Sequence, residues 1–155
     1  MSYAARVLQP DETIVYEARI HWIVYLGGIL CVMVAVPLAI AAVVMDNDTL
    51  RLGLMGAAVL VLVLGLFQML RAWLKVAGTE ITVTSLRVIY KTGIISRNTL
   101  EMNLDKVESV LVQQSLLGRA LDYGAVIIRG VGAGLEPVDN IAAPLELHRH
   151  VSAPT

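Results

Sequence analysis

The chain has 155 residues, of which 57% are hydrophobic and 16% are charged, and its formal net charge at pH 7 is −1. Its mean hydropathy of +0.71 lies above the usual range of soluble globular proteins, which argues against a soluble enzyme. The near balance of acidic and basic residues excludes a nucleic-acid-binding protein, because that function needs a basic face. Cys31 is the single cysteine, so the chain has no intramolecular disulfide and no cysteine metal cluster.

Two uncharged apolar runs occupy residues 22–45 and 52–70. A helix needs about 20 residues to cross roughly 30 Å of hydrocarbon, and each run has about that length. Lipid also obliges each segment to satisfy its own backbone hydrogen bonds, which favours helices. The sequence therefore predicts three parts: an N-terminal arm over 1–21, a transmembrane helical hairpin over 22–75 with helices at about 22–45 and 52–73, and a domain over 76–155.

Basic residues flank the two apolar runs unevenly. The side of the two termini holds Arg6, Arg19, Arg71, Lys75 and Arg87, whereas the short loop between the runs holds only Arg51. Basic residues are retained preferentially on the cytoplasmic side of a membrane. We therefore expect a multi-pass protein with both termini in the cytoplasm.

Small residues recur at every fourth position in both runs. The two stripes are Gly27, Cys31, Ala35 and Ala39 in the first run, and Gly53, Ala57, Val61 and Gly65 in the second. Small side chains on one face let helices approach closely in lipid. The stripes therefore predict helix packing, either between the two helices or against a second subunit, and we expect a homo-oligomer.

Short β-rich runs separated by turn residues follow Trp73. The alternation of residues 79–84 is typical of a half-buried strand. Further strands are predicted at residues 87–92, 94–104, 107–114, 123–129 and 135–141, with a flexible turn at 130–134 and a short helix starting at Pro144. Six or seven short antiparallel strands with one terminal helix are typical of a small curved sheet or an open barrel.

Three motifs in the β-rich part are specific. They are Thr84-x-x-Arg87, Gln114-Ser115-x-x-Gly118-Arg119 and Tyr123-Gly124, which occur in that order. They resemble the bacterial pleckstrin-homology-like (PH-like) domain, formerly a domain of unknown function, and residues 8–14 are similar to the arm that commonly precedes its paired membrane helices. The resemblance implies a membrane α-helical hairpin plus a small, mostly β, PH-like domain with a C-terminal helix, in the bacterial plasma (inner) membrane. It implies very little biochemistry.

One departure from the family pattern concerns the C-terminal helix. The family fold expects several turns, whereas residues 144–151 allow barely two. We therefore expect the arm or a neighbouring subunit to cover the open end of the sheet, because uncovered apolar sheet tends to associate.

Catalytic patterns do not stand out in the sequence. Residues 130–134 contain three glycines but lack the lysine and the long helix of a phosphate loop. On a helix, His148 and His150 would point apart, which disfavours a metal site. Because no nucleophile is paired with a base in any recognisable pattern, we expect no enzyme, no catalytic residue, no metal and no cofactor.

The leading hypothesis is a self-assembling scaffold, or an adaptor for an unidentified membrane protein, at the cytoplasmic face. One alternative is a sensor of anionic lipid, in which Arg87, Lys91 and Arg97 would contact the lipid or a partner. From residue 76 onward acidic residues slightly outnumber basic ones, so general electrostatic docking to a membrane is not expected, and Arg119 is expected to hold a corner of the fold. The spans carry no Asp, Glu, Lys or Arg, which argues against a pump or carrier. A second alternative is an oligomeric pore, because a channel wall can be apolar or lined by backbone.

Overall fold

The computed structural model describes residues 7–94, 98–131, 133–134 and 137–152. The chain forms two compact units. One unit comprises Trp22–Leu74, and the other combines the chain up to His21 with the chain from Lys75 onward. The N-terminal arm therefore folds together with the C-terminal part.

Both apolar runs form long helices. A short 3-10 helix at Trp22–Tyr25 leads into α1, Leu26–Val44, and α2 spans Asp48–Gly78, past the expected end at residue 73. The two helices are long and apolar enough to cross a membrane, and only 17% and 11% of their most apolar segments are buried. A core helix of a soluble protein would be mostly buried, so the exposed apolar surface favours a lipid environment.

Packing inside the hairpin follows a seven-residue spacing. The buried small residues are Gly28, Ala35 and Ala42 in α1, and Ala58, Gly65 and Ala72 in α2. The helices touch at Gly65, where an added Cβ atom would lie 2.8 Å from the Cβ atom of Cys31. Because a helix has about 3.6 residues per turn, two turns return nearly to the same face, whereas a four-residue stripe drifts by about 40° per step.

This spacing corrects part of the predicted stripes. Cys31, Ala35, Val61 and Gly65 lie on the packed face, and Gly27 lies against the side chain of Gln68. Ala39, Gly53 and Ala57 are exposed, so they do not form the contact between α1 and α2. Their packing against a second subunit stays a prediction.

The other unit contains two antiparallel sheets. The first has the order β1-β2-β3-β4, with strands at Ile14–Ala18, Glu80–Thr84, Arg87–Thr92 and Asn98–Asn103. The second comprises β5 (Val107–Gln113), β6 (Tyr123–Gly130), β7 (Ala133–Gly134) and β8 (Val138–Ala142). In the second sheet β6 pairs with β5, β7 and β8. The residues predicted as a flexible turn therefore include the end of β6 and the short strand β7.

The arm connects the two sheets. Its strand β1, which the sequence analysis did not predict, pairs with β2 so that Ala18 lies opposite Ile81. Beyond β1, the N–H of Ala142 in β8 donates to the carbonyl of Arg19, and the N–H of His21 donates to the carbonyl of Asn140. In the part of the chain that the structure describes, β4 and β5 each keep one edge without a paired strand.

The core lies between the two sheets and is closed by the C-terminal helix. Val83, Val88 and Ile141 are completely or almost completely buried there, together with other inward-facing aliphatic residues of both sheets. The helix spans Pro144–Ser152 and inserts Leu147 into this core. Tyr16 of the arm stacks on His150 of this helix, with ring centroids 4.7 Å apart. The short helix and the arm thus both contribute to covering the open end of the sheets.

Candidate functional site

A cluster of charged side chains ties the arm to the first sheet. Glu12 and Arg87 form a bidentate ion pair, with Nη2 of Arg87 2.9 Å from Oε2 and Nε 3.0 Å from Oε1 of Glu12. On the other side, Nη1 of Arg87 lies 2.7 Å from Oε2 of Glu101 in β4. We call these residues, together with Thr84, the Glu12–Arg87 cluster.

The backbone around the cluster holds the Glu12 carboxylate in place. A tight turn joins Gln9 to Glu12, because the Glu12 N–H donates to the Gln9 carbonyl and the Gln9 N–H donates to Oε2 of Glu12. The hydroxyl of Thr84 donates to Oε1 of Glu12 at 2.6 Å and accepts the N–H of Arg87 at 3.0 Å. The two ends of the Thr84-x-x-Arg87 motif therefore bind the carboxylate of Glu12 in the arm.

Burial makes this cluster electrostatically strong. The side chain of Glu12 is 0% exposed and that of Arg87 is 12% exposed. Burial raises the pKa of Glu12, but the hydrogen bonds from Thr84, Gln9 and Arg87 outweigh it and hold the pKa below its ordinary value. The hydrogen bond to Glu12 raises the pKa of Arg87 against the opposing effect of burial. Both groups therefore stay charged at neutral pH.

The three residues expected to contact lipid or a partner have different positions. Arg87 belongs to the Glu12–Arg87 cluster, and its guanidinium is occupied by two carboxylates. Lys91 lies opposite Glu80 in the register of β2 and β3, with Nζ 3.9 Å from Oε2 of Glu80. Arg97 lies outside the described residues. An anionic head group at Arg87 or Lys91 would therefore compete with acidic groups of the chain itself.

The second motif builds a tight corner after β5. Ser115 caps the short helix α3, Leu116–Ala120, by accepting the N–H of Gly118 at 3.0 Å. The amide Nε2 of Gln114 donates to the carbonyl of Tyr123 at 3.2 Å. A Cβ atom at position 118 would lie 2.6 Å from that same carbonyl oxygen, so glycine is required there. Arg119 was expected to hold this corner, but it is exposed and the corner is held without it.

The unpaired edges of β4 and β5 are candidates for binding a partner. The strand β5 has seven residues and carries neither lysine nor proline. Leu111 in this strand is 46% exposed. A groove of about 250 Å³ lies beside β4 and the end of β6, and it is lined by Leu100, Glu101, Met102, Asn103, Lys106, Gly130 and Val131. We call β4, β5 and this groove the open edge of the domain.

No group of three or more His, Cys, Asp or Glu side chains in residues 7–94, 98–131, 133–134 and 137–152 is placed to hold a metal ion. A larger, shallow groove of about 710 Å³ lies at the other end of β5 and is lined by main-chain atoms and side chains such as Gln113, Ser115 and Asn140. Among the described residues that line it, none forms a recorded hydrogen bond between a nucleophile and a base.

Comparison with known proteins gives one match. A family model described as a bacterial PH domain matches residues 18–155, which include both apolar helices and the two-sheet unit apart from the arm up to residue 17. No curated protein matches the chain, and no solved structure matches it either.

Proposed function

The chain belongs to the bacterial PH domain family, and on this premise we propose that it is a non-enzymatic, membrane-anchored scaffold that assembles through the open edge of its PH-like domain. The hairpin anchors the chain in the bacterial plasma membrane, with both termini and the PH-like domain in the cytoplasm. The open edge pairs with a second copy of the chain, and in an adaptor role it would pair with an extended segment of a membrane-protein partner.

The proposed anchoring is supported by the surface of the two helices. Large apolar side chains such as Met33, Val43 and Leu52 are 65%, 71% and 71% exposed. Such a surface is costly in water and is favourable in hydrocarbon. The excess of basic residues on the side of the termini supports the proposed orientation.

The open edge is the observation that carries the proposed assembly. A free edge strand presents unpaired N–H and C=O groups to any other strand, and proteins that avoid association commonly protect such edges with lysine or proline. In β5 the charged Glu108 and the irregular register at Val107–Ser109 protect the start of the strand, whereas residues 110–113 carry no charge and no proline and expose Leu111. Because β4 and β5 are different edges of one domain, pairing of β4 with β5 of another copy is heterologous and generates a ring or a filament.

We expect Leu111→Lys to reduce the mass of the particle to that of a monomer. An added strand would place its own side chains beside position 111 on the same face of the sheet and would partly desolvate the new ammonium group, whereas in the isolated domain this group reaches water because Leu111 is 46% exposed. Native mass spectrometry of the full chain in mild detergent measures the mass. The matched control is Leu86→Lys, since Leu86 is 51% exposed and lies in the turn between β2 and β3.

Two results would contradict the proposed assembly. A monomeric wild-type chain would show that the scaffold does not form by itself. An assembled wild type whose mass is the same in both lysine variants would show that the copies meet elsewhere than at the open edge.

The two alternative functions have less support. A sensor of anionic lipid needs free basic groups, whereas Arg87 and Lys91 each lie beside an acidic residue. A pore needs several hairpins around a common axis, and no described contact bears on such an arrangement.

A further inference from the structure

Four exposed leucines lie on two adjoining segments of the PH-like domain. Leu116, Leu117 and Leu121 lie in and directly after α3, and they are 86%, 69% and 43% exposed. Leu145 starts the C-terminal helix and is 55% exposed. The N–H of Ala143 donates to the carbonyl of Asp122 at 3.0 Å, which holds the end of α3 beside the start of the C-terminal helix. We call these four residues the leucine corner.

The leucines are exposed because of the construction of α3. Gly118 is the buried residue of this helix and packs against the carbonyl of Tyr123 too closely for any side chain. The Ser115 cap and the Gln114 hydrogen bonds fix the corner on both sides. The domain therefore presents the leucines outward on a rigid support, and clustered apolar groups of this kind mark a binding surface.

The chain segment that packs beside the leucine corner indicates what this surface contacts. The ring of His21 stacks on the ring of Tyr123, which follows the corner by two residues, with centroids 5.2 Å apart. His21 also donates its N–H to Asn140, and the next residue, Trp22, begins the first candidate membrane span. No residue lies between His21 and Trp22, so the segment that packs on Tyr123 continues directly into the candidate span.

The charge of the corner also suits a membrane. Arg119 and Asp122 flank Leu121, and Glu146 beside Leu145 is paired with Arg149 at 2.9 Å, so the two bases and two acids around the corner balance and leave no net negative charge. Arg119 is exposed between Leu117 and Leu121, where a long cationic side chain can reach phosphate groups while its neighbours contact acyl chains.

We propose that the leucine corner inserts into the interface of the cytoplasmic leaflet beside the first span, as a third membrane contact that fixes the orientation of the PH-like domain on the bilayer. The occupant of this surface is lipid, held mainly by apolar contact, and binding does not depend on a particular head group. This inference rests on the proposed membrane anchoring.

The test places one fluorescent label at a time on the full chain in lipid nanodiscs. In a Cys31→Ala background, single cysteines replace Leu117 in the corner, Ile40 in the first span or Val131 at the open edge, and each carries an environment-sensitive dye. Val131 is the matched control, because its exposure of 68% equals that of Leu117 at 69%. Each label is quenched in turn by nitroxide attached to lipid and by aqueous iodide.

We expect the label at position 117 to be quenched by lipid nitroxide several times more strongly than the label at 131, and to be shielded from iodide. Equal quenching at 117 and 131 would overturn the inference, while strong lipid quenching at 40 would leave the anchoring intact. Absence of lipid quenching at 40 would refute the anchoring itself. Shielding of position 117 from both quenchers would identify a protein as the occupant, which also overturns the inference.

Discussion

Arg87→Ala is expected to destabilise the PH-like domain by about 3–5 kcal/mol, because it leaves the buried carboxylate of Glu12 without its cationic partner. The side chain of Glu12 is completely buried, and Arg87 supplies two of its hydrogen bonds. The loss should first release the turn from Gln9 to Glu12, and then weaken the pairing of β1 with β2. The arm is thus the part of the fold most sensitive to this change.

Pulse proteolysis of the full chain in urea and mild detergent measures this loss, with exposed Arg129→Ala in β6 as the control. A pH series gives a second readout. Because the folded pKa of Glu12 is depressed, Glu12 stabilises the wild type above its ordinary pKa of 4.5, and this contribution disappears as the pH falls through the lower folded value. Without Arg87 the folded pKa of Glu12 rises, so the variant loses less stability below about pH 5. A change of less than about 1 kcal/mol would mean that the pair behaves as a solvated surface pair.

Leu147→Ala is expected to cost about 2–5 kcal/mol, because it opens a cavity in a core that has no other residue to fill it. Leu147 is 0% exposed and is the deepest side chain of the nine-residue C-terminal helix. This variant therefore tests whether the nine-residue helix alone closes the core between the two sheets.

The same proteolysis assay checks this prediction, and Leu145→Ala is its matched control in the same helix. Leu145 is 55% exposed, so its loss should change the stability by no more than about 0.5 kcal/mol. Equal, small effects of both variants would indicate that another element, such as a neighbouring subunit, closes the sheets.

Local sequence patterns predicted the helices and strands that are determined by residues close together in the chain. The apolar runs gave two long helices, and the alternation in residues 79–84 and 87–92 gave β2 and β3. The strand β1 was missed because its five residues have no turn partner nearby, and their pairing with β2 depends on a contact far along the chain. Ala39, Gly53 and Ala57 of the four-residue stripes lie away from the contact between α1 and α2, because such a stripe turns away from the contact face of a straight helix.

The candidate sites show the same division between local and distant information. Arg87 was singled out as a basic residue, but its partner Glu12 lies 75 positions away, and no periodicity links the two. The one sequence feature that pointed to this ion pair was the occurrence of the arm motif together with the Thr84-x-x-Arg87 motif. The leucine corner was not predicted from the sequence for another reason. Its glycine and serine indicate a tight turn, but a turn pattern does not indicate which neighbouring side chains are exposed.

The central claim is that α1 and α2 cross the plasma membrane and leave the PH-like domain inside the cell. The test uses a Cys31→Ala background in which a single cysteine replaces Asp48, the first residue of α2 after the loop between the helices. Intact spheroplasts are treated with a membrane-impermeant maleimide. We predict labelling from outside at position 48 and protection of a cysteine at Leu86, which is 51% exposed and lies away from the open edge, until the cells are broken. Labelling at position 48 only after lysis, or recovery of the chain from the soluble fraction without detergent, would contradict the account.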